Sequence, residues 1–416
     1  MPATGFQRSP VAKSNSRDVS VFVAKFNSEG TALEYCTYLS GSGDDEAGPI
    51  AVDSAGNAYV AGATSSPDFP ITPGALQTKN SAGKGSTGAS NITGFITKIN
   101  STGNALSYST YLGGSAESAI SGIAADRSGD AYVTGTTLAT DFPTTKGAFQ
   151  ASNKASTQET SFVAKLDAMG SGLTYSTYLG GGVEDEKWAI AVDSTDHAYV
   201  AGISLSPDYP TTPGAFQTVD RTATIPGSLP NWTGVVTKIN PSGTGLVYST
   251  FLGGTYSDLL YAIALDASGD AFLTGESKSQ DFPISPDAIQ LANFGSSAFI
   301  TKLNPAGSDI VYSTYLGGGS AIETSPPCTI GALPQIPSVF GTGIAVDGFG
   351  NAYITGGTDE IGFPVTASAF EITPRSIDRS CEGGSFLTKI NATGSRLLYS
   401  TYLSGSGAGS GGLASE

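Results

Sequence analysis

Three short segments recur along the chain, and their recurrence limits the possible folds more than any other feature of the sequence. Phe22–Asn27 (FVAKFN) returns as FITKIN at Phe95, FVAKLD at Phe162, VVTKIN at Val235, FITKLN at Phe299 and FLTKIN at Phe386. Tyr35 opens YCTYLSG, which returns as YSTYLGG at Tyr108, Tyr175 and Tyr312, YSTFLGG at Tyr248 and YSTYLSG at Tyr399. Ile50 opens IAVDSAGNAYVAG, with versions beginning at Ile123, Ile190, Ile263 and Ile344. A unit of this length that repeats is one supersecondary element, stable only when stacked against its neighbours.

Every segment reads as strand. IAVD and AYVAG are short runs of β-branched and aromatic residues, and the S-A-G-N between them places glycine where a tight hairpin needs positive φ. We label these strands A and B. FVAKFN and LVYSTFL alternate on either side of an N-x-x-G turn and form strands C and D. Composition agrees: 55 glycines in 416 residues and only 13% charged residues, against about 25% usually, do not furnish the surfaces of long helices. Hydrophobic residues at 39%, with 18 Tyr and 19 Phe, can still fill a large core. The expected fold is an all-β β-propeller of four-stranded antiparallel blades, five complete plus a C/D half-blade, with strand A lining a central channel.

The expected organisation is an irregular segment over 1–21, a propeller domain over 22–403 and a Gly/Ser-rich tail over 404–416. The half-blade covers 22–39, and the blades cover about 49–112, 122–179, 189–252, 262–316 and 343–403. Both termini read as cut in mid-repeat, Gly5-Phe6-Gln7 standing where a connector would end; either the ring is left incomplete or the chain is a piece of a longer parent chain with further repeats or domains. From the strand C lysine to the next strand A aspartate the distance is 28 residues four times and 45 once, Lys302 to Asp347. Length varies only in the B-to-C and D-to-A loops, which leave one face of such a disc, so recognition is expected there.

A net charge of -16 argues against nucleic acid. No stretch approaches 18 consecutive apolar residues, so no membrane insertion is expected, and the start of the chain does not read as a signal peptide. A single histidine leaves little for triad chemistry.

The repeats, together with the connector SPDFPITPGALQ (Ser66–Gln77) and its relatives DFPTTKGAFQ from Asp141 and DYPTTPGAFQ from Asp208, resemble the bacterial β-propeller repeats called SBBP repeats. The A/B hairpin alone is also similar to NHL-type repeats. The resemblance covers roughly 22–403 and implies an exported or surface protein, extracellular, whose propeller has no assigned reaction. The last blade departs from it, with Gly362-Phe363-Pro364 in place of Asp-Phe-Pro, so a different path is expected for that connector.

The turn aspartates Asp53, Asp126, Asp193, Asp266 and Asp347 read as acceptors for backbone N–H groups two or three residues on. Lys25, Lys98, Lys165, Lys238, Lys302 and Lys389 read as strand C residues with packed stems, pairing with a neighbouring strand or carbonyls. His197 falls at a turn. Asp44, Asp45 and Glu46, and likewise Glu184, Asp185 and Glu186, are adjacent carboxylates that could take Ca²⁺ but read better as solvated surface charge; otherwise no cofactor and no metal are expected. Trp188 and Trp232, with Tyr256 and Tyr261, read as loop aromatics able to stack on a glycan, peptide or protein ligand, or else as plugs between blades.

Cys328 and Cys381 fall in two long loops of one face and are expected to form a disulfide, leaving Cys36 a largely buried free thiol. The expected function is a non-enzymatic binding or adhesion scaffold with its ligand face on the B–C and D–A loops. The alternative is a metal-assisted hydrolase or lyase at the channel mouth, against which we weigh the small residues at the expected strand A starts: Pro49, Gly122, Ala189, Ala262 and Gly343.

Overall fold

Alternating apolar residues closed by Gly-bearing turns build the same four strands in every repeat. The computed structural model describes residues 5–13, 15, 18–82, 91–155, 157–222, 231–293, 295–317, 329–330, 333–334, 338–360, 362–374 and 384–403. The half-blade gives β1 (Val21–Phe26) and β2 (Leu33–Leu39). The first two complete repeats give β3 (Asp45–Val52), β4 (Ala58–Thr64), β5 (Thr93–Ile99) and β6 (Leu106–Leu112), then β7 (Ser118–Ala125), β8 (Ala131–Thr137), β9 (Thr160–Leu166) and β10 (Leu173–Tyr178). The next two give β11 (Asp185–Val192), β12 (Ala198–Ser204), β13 (Thr233–Ile239) and β14 (Leu246–Leu252), then β15 (Asp258–Leu265), β16 (Ala271–Ser277), β17 (Ser297–Leu303) and β18 (Ile310–Leu316). A short pair, β19 (Thr329–Ile330) and β20 (Leu333–Pro334), precedes β21 (Val339–Val346), β22 (Ala352–Thr358), β23 (Gly384–Ile390) and β24 (Leu397–Leu403).

Each complete repeat is one four-stranded sheet in the order A-B-C-D, and β1 pairs with β2 alone. The protein is an all-β β-propeller of blades. Two compact units make it up, Met1–Ala198 with Ile239–Leu246, and Tyr199–Lys238 with Val247–Glu416.

The A strands begin four residues before the expected starts, at Asp45, Ser118, Asp185, Asp258 and Val339. A β-bulge is the reason. Register shifts between Ile120 and Gly122, Leu260 and Ala262, and Gly341 and Gly343 insert an extra residue, and an insertion breaks the period-2 pattern by which a strand is recognised.

Between sheets the packing repeats as strictly as the sequence. In the first unit, Val21, Val23, Tyr35 and Leu39 of the half-blade close on Phe95, Ile99, Phe69 and Tyr111. Tyr59, Ala61 and Ile96 close in the same way on Ile123, Val133 and Phe162. In the second unit Phe272, Ile300 and Tyr312 close on Val339, Ile344 and Phe386.

The first tyrosine of every strand D but the last lies over the C–D turn glycine of the following sheet. A Cβ on Gly103 would stand 2.1 Å from the Tyr35 ring, and one on Gly170 2.4 Å from Tyr108. The corresponding distances are 2.3 Å for Gly243 and Tyr175, 2.3 Å for Gly307 and Tyr248, and 2.2 Å for Gly394 and Tyr312.

The B-to-C connector runs behind strand D and covers its outer edge, an edge that would otherwise invite pairing with other chains. Thr72 N donates to Ser109 O (3.1 Å), Tyr111 N to Gln77 O (3.2 Å) and Gln77 N to Thr110 Oγ1 (2.9 Å), while Phe69 packs 4.5 Å from the Phe95 ring. Phe6 and Gln7 repeat this pattern beside the half-blade: Tyr38 N donates to Gln7 O, and Phe6 N donates to Gly103 O in the turn of the following sheet, as Leu76 N does to Gly170 O. The last connector follows this path too, contrary to expectation. Phe363 packs 4.4 Å from Phe386, and Thr366 N donates to Ser400 O at 3.0 Å. Its phenylalanine and threonine set the route; the aspartate that Gly362 replaces has a separate task, described below.

Candidate functional site

The turn aspartates hold their own hairpins. Asp53 Oδ1 accepts from Ala55 N (3.1 Å) and Asn57 N (2.9 Å), two and four residues on, and the pattern recurs at Asp126, Asp193, Asp266 and Asp347. At Asp53, Asp126, Asp266 and Asp347 the other carboxylate oxygen faces the strand C lysine of the same sheet, so these lysines reach across strand B to the turn. The pairs are Lys98 to Asp53 (3.3 Å), Lys165 to Asp126 and Asp130 (3.1 Å each), Lys302 to Asp266 (3.0 Å) and Asp270 (2.9 Å), and Lys389 to Asp347 (3.1 Å).

Each ammonium also lies over an aromatic ring of strand B, 4.6 Å from Tyr59 for Lys98 and 4.5 Å from Tyr199 for Lys238, which donates to the Tyr199 hydroxyl. Burial works against the charge on Lys165, yet bonds to Tyr132, Asp126 and Asp130 outweigh it and hold the pKa above the ordinary lysine value. Among the described residues Lys25 meets no such pocket and pairs at the surface with Glu34 (2.8 Å). His197 takes its place in a turn where Asp196 adopts φ 65°, its Nδ1 2.9 Å from Thr195 Oγ1.

The acid clusters are not uniformly solvated. Asp45 and Asp185 are buried at the starts of β3 and β11, Asp44, Glu184 and Glu186 are half-buried, and Glu46 alone is exposed. Asp45 accepts from Gly41 N (2.9 Å), Thr64 Oγ1 (2.6 Å), Ser66 Oγ (2.8 Å) and Lys13 Nζ (2.7 Å). Lys13, which also donates to Gly43 O (2.7 Å), lies outside every repeat and gave no signal. Asp185 accepts from Gly181 N (2.7 Å). These carboxylates begin the A strands, which the bulge had hidden.

Asp258 is the fourth-blade counterpart, accepting from Gly254 N (2.7 Å), Ser277 Oγ (2.6 Å) and Ser279 Oγ (2.7 Å). Burial pushes its pKa up to about 6 against those three donors. The folded state therefore retains a proton between about pH 4 and 6 that the unfolded chain releases, and stability falls as pH rises through that window. The stability gap between Asp258→Asn and the parent chain should change by up to about 3 kcal/mol from pH 4 to pH 7 in urea unfolding, in favour of the variant at the higher pH. A gap that does not move with pH would mean that Asp258 is ionised throughout.

The Asp of the connector ties down the D-to-A loop. Asp68 Oδ1 accepts from Ser42 N (2.7 Å) and Oγ (2.8 Å), Asp141 from Ser115 N (2.8 Å) and Oγ (2.9 Å), and Asp281 from Thr255 N (2.9 Å) and Oγ1 (3.0 Å). The loops of the expected ligand face thus stand on a repeated brace.

Against this uniform frame the first unit holds a constellation that, among the described residues, no other blade repeats. Carboxylate oxygens of Glu159, Glu184 and Glu186 lie within 4.8 Å of one another, all half-buried. Glu159 stands beside β9, 25 residues from Glu184, and no spacing rule would have joined them. Burial, then the neighbouring Glu186, Glu117 and Glu184, raise its pKa; burial also raises that of Glu186.

Trp188 is not in a loop but inside β11, half-buried, and its Nε1 donates to Glu186 Oε2 (2.9 Å). Beside it Lys187 is fully buried, its pKa pushed down to about 8 by burial against the attraction of Asp185 and Glu186. Three clustered carboxylates are suited to a hard divalent cation or to a ligand rich in hydrogen-bond donors.

In the second unit, Tyr261 occupies the bulge of β15, and Trp188 holds the equivalent position in β11. The Tyr261 hydroxyl donates to Glu276 Oε2 (3.4 Å), and Glu276 also faces Lys278 (3.5 Å) and Ser296. Trp232 precedes β13 half-buried, its carbonyl accepting from Asp258 N (2.9 Å), and Tyr256 is exposed next to that strand start.

The bulge positions of the five A strands therefore carry Gly48, Ser121, Trp188, Tyr261 and Thr342, unlike and mostly polar. The small residues weighed against an enzyme are strand-interior positions beyond the bulge, so that objection lapses. Cys36 is a free thiol, half-buried rather than largely buried, and Cys328 and Cys381 lie outside the described residues. A shallow groove of about 420 Å³ between Phe6, Pro70–Pro73 and Asn104–Leu106 lies among none of these residues and is lined mainly by apolar atoms.

The family model described as a β-propeller repeat, SBBP, matches residues 34–70, 107–143 and 337–364. The chain carries SBBP-type β-propeller repeats. Each matched SBBP segment begins in strand D or just before strand A and runs to the D-[FY]-P connector or its Gly362 variant, so all three span the bulge and the first two span the brace as well. No curated protein matches the sequence.

Among solved structures the SBBP-repeat chain is similar to an ulvan lyase of polysaccharide lyase family PL25, at 9% identity and TM-score 0.41, over 96% of this chain and 86% of that one. It is also similar to a variant of the Synechocystis apocarotenoid oxygenase, at 8% identity and TM-score 0.39, over 89% of this chain and 65% of the oxygenase. A quinohemoprotein alcohol dehydrogenase of Pseudomonas putida HK5 is similar at 8% identity and TM-score 0.34, over 75% of this chain and 51% of that one.

Proposed function

We propose that the chain is a non-enzymatic binding or adhesion scaffold of an exported or surface bacterial protein, taking a glycan, peptide or protein ligand on the face formed by its B–C and D–A loops. One observation carries this reading. The ionisable residues that recur in every blade are consumed by the frame, whereas the unrepeated Glu159, Glu184, Glu186 and Trp188 gather in one half-buried cluster. An indole beside carboxylates can stack on a sugar or side chain while the carboxylates accept from hydroxyl or ammonium groups.

A second reading rests on the same carboxylates: a divalent cation held by them would support a metal-assisted hydrolase or lyase. A glycan and peptide array probed with the purified chain, with and without Ca²⁺, separates the two. Trp188→Ala should reduce the array signal by about tenfold or more while leaving the unfolding midpoint nearly unchanged, because the ring is half-buried at a strand surface. Binding that survives Trp188→Ala would remove the cluster from the ligand site. Signal that appears only with Ca²⁺, together with calorimetric binding tighter than about 10⁻⁵ M, would favour the metal reading.

A further inference from the structure

Strand β1 has a partner on one side only. In every complete repeat strand C is flanked by strand B and strand D, but among the described residues β1 pairs with β2 alone. Two other features of the first unit point to the same strand edge. Ile50 in β3 is 51% exposed, whereas Ile123, Ile190, Ile263 and Ile344, its equivalents, are at 7%, 8%, 9% and 6%. In the next interface, Ile123 is buried in one core cluster with Tyr59 and Ala61, which are strand B residues of the preceding sheet. The face of Ile50 is therefore the place where strand B residues of a hairpin paired with β1 would lie.

Lys25 completes the pattern. Its equivalents Lys98, Lys165, Lys302 and Lys389 each meet a turn carboxylate and a strand B ring, but among the described residues Lys25 meets only the surface carboxylate of Glu34.

We propose that the β1 edge, with Ile50 and Lys25, is an acceptor site for one additional A/B hairpin of this repeat type, supplied from outside residues 1–416. Such a hairpin brings an Asp for Lys25, a Tyr or Phe ring beneath its ammonium, and small apolar strand B residues for Ile50. The register follows from the other blades, where the strand B ring stands opposite the lysine, as Tyr132 opposite Lys165. Main-chain bonds along the open edge would give affinity, and these side chains would give selectivity. A second copy of the chain does not suit the site, because all five of its hairpins are already built into four-stranded sheets. Pairing β1 with its own copy would offer Lys25 no turn carboxylate and would leave Ile50 uncovered.

The probe is a synthetic peptide of the Ser118–Thr137 sequence, added to the full chain and followed by fluorescence anisotropy and amide hydrogen exchange. Saturable binding is expected, with slowed exchange at β1 amides, and Ile50→Asp should weaken it about tenfold or more without lowering the unfolding midpoint. A version of the chain with the same hairpin and a DFP-type connector fused ahead of Gly5 guards against a peptide that does not pre-form. It should show the same β1 protection and a raised midpoint. Unchanged β1 exchange in both formats would overturn the proposal. So would a chain that dimerises on its own with β1 protected and excludes the peptide, since the edge would then belong to a second copy.

Discussion

Gly170→Ala should destabilise the protein by about 2–4 kcal/mol, well beyond what an ordinary turn glycine would lose. Two costs add at that site. The residue has φ +65°, where any L side chain is strained, and its new methyl would stand 2.4 Å from the Tyr108 ring, far inside van der Waals contact. Tyr108 is fully buried and cannot withdraw. Gly74 provides the control: its φ is +84° but nothing lies within 4 Å, so Gly74→Ala should lose only the strain, about 1 kcal/mol. Urea unfolding of the two variants measures the difference. Equal losses would mean that the tyrosine-on-glycine contact between successive sheets is not a close-packed one.

Lys165→Met should cost about 3 kcal/mol, because it strands Asp126 and Asp130 beside an apolar stem in a site that is almost closed to water. Breaking one partner of a buried pair is expensive through the charge left behind, not through the net worth of the pair. The same substitution at Lys25, whose partner Glu34 is exposed, should change stability by less than about 1 kcal/mol. Thermal or urea midpoints read both. A Lys165→Met loss no greater than that of Lys25→Met would mean that the turn aspartates are solvated despite their burial. It would also remove the main reason for assigning the recurring carboxylates to the frame.

The blades were legible because each strand keeps its own signature: FVAKFN, YSTYL and IAVD alternate, and the glycines between them stand at turns with positive φ, as at Gly56 and Gly103. The beginning of strand A was not, since the bulge at Tyr261 and its equivalents interrupts the alternation and disguises four strand residues as loop. That one error moved Trp188, Asp45 and Asp185 from strands to loops and turned buried acceptors into supposed surface charge.

The turn aspartates were readable from spacing, but their lysine partners were not, because Lys98 meets Asp53 from a strand 45 residues away. Glu159 is joined to its cluster by the stacking of sheets and Lys13 to Asp45 by the path of the irregular segment before β1, relations that no periodicity records. Val339, where other blades have Asp or Ser, shows in addition that the strand A start is a position the fold leaves free to vary.

The most direct test of the binding account is to recover the ligand. The purified chain is incubated with an array-positive glycan or peptide, with Ca²⁺ present, and the ligand is then released and weighed by mass spectrometry beside the same ligand exposed to Trp188→Ala. A binding scaffold returns it with its mass unchanged, after retention by the parent chain and not by the variant. A ligand returned cleaved or unsaturated by the parent chain, and intact from Glu159→Gln or Glu186→Gln, would contradict the account and make the carboxylate cluster a catalytic centre.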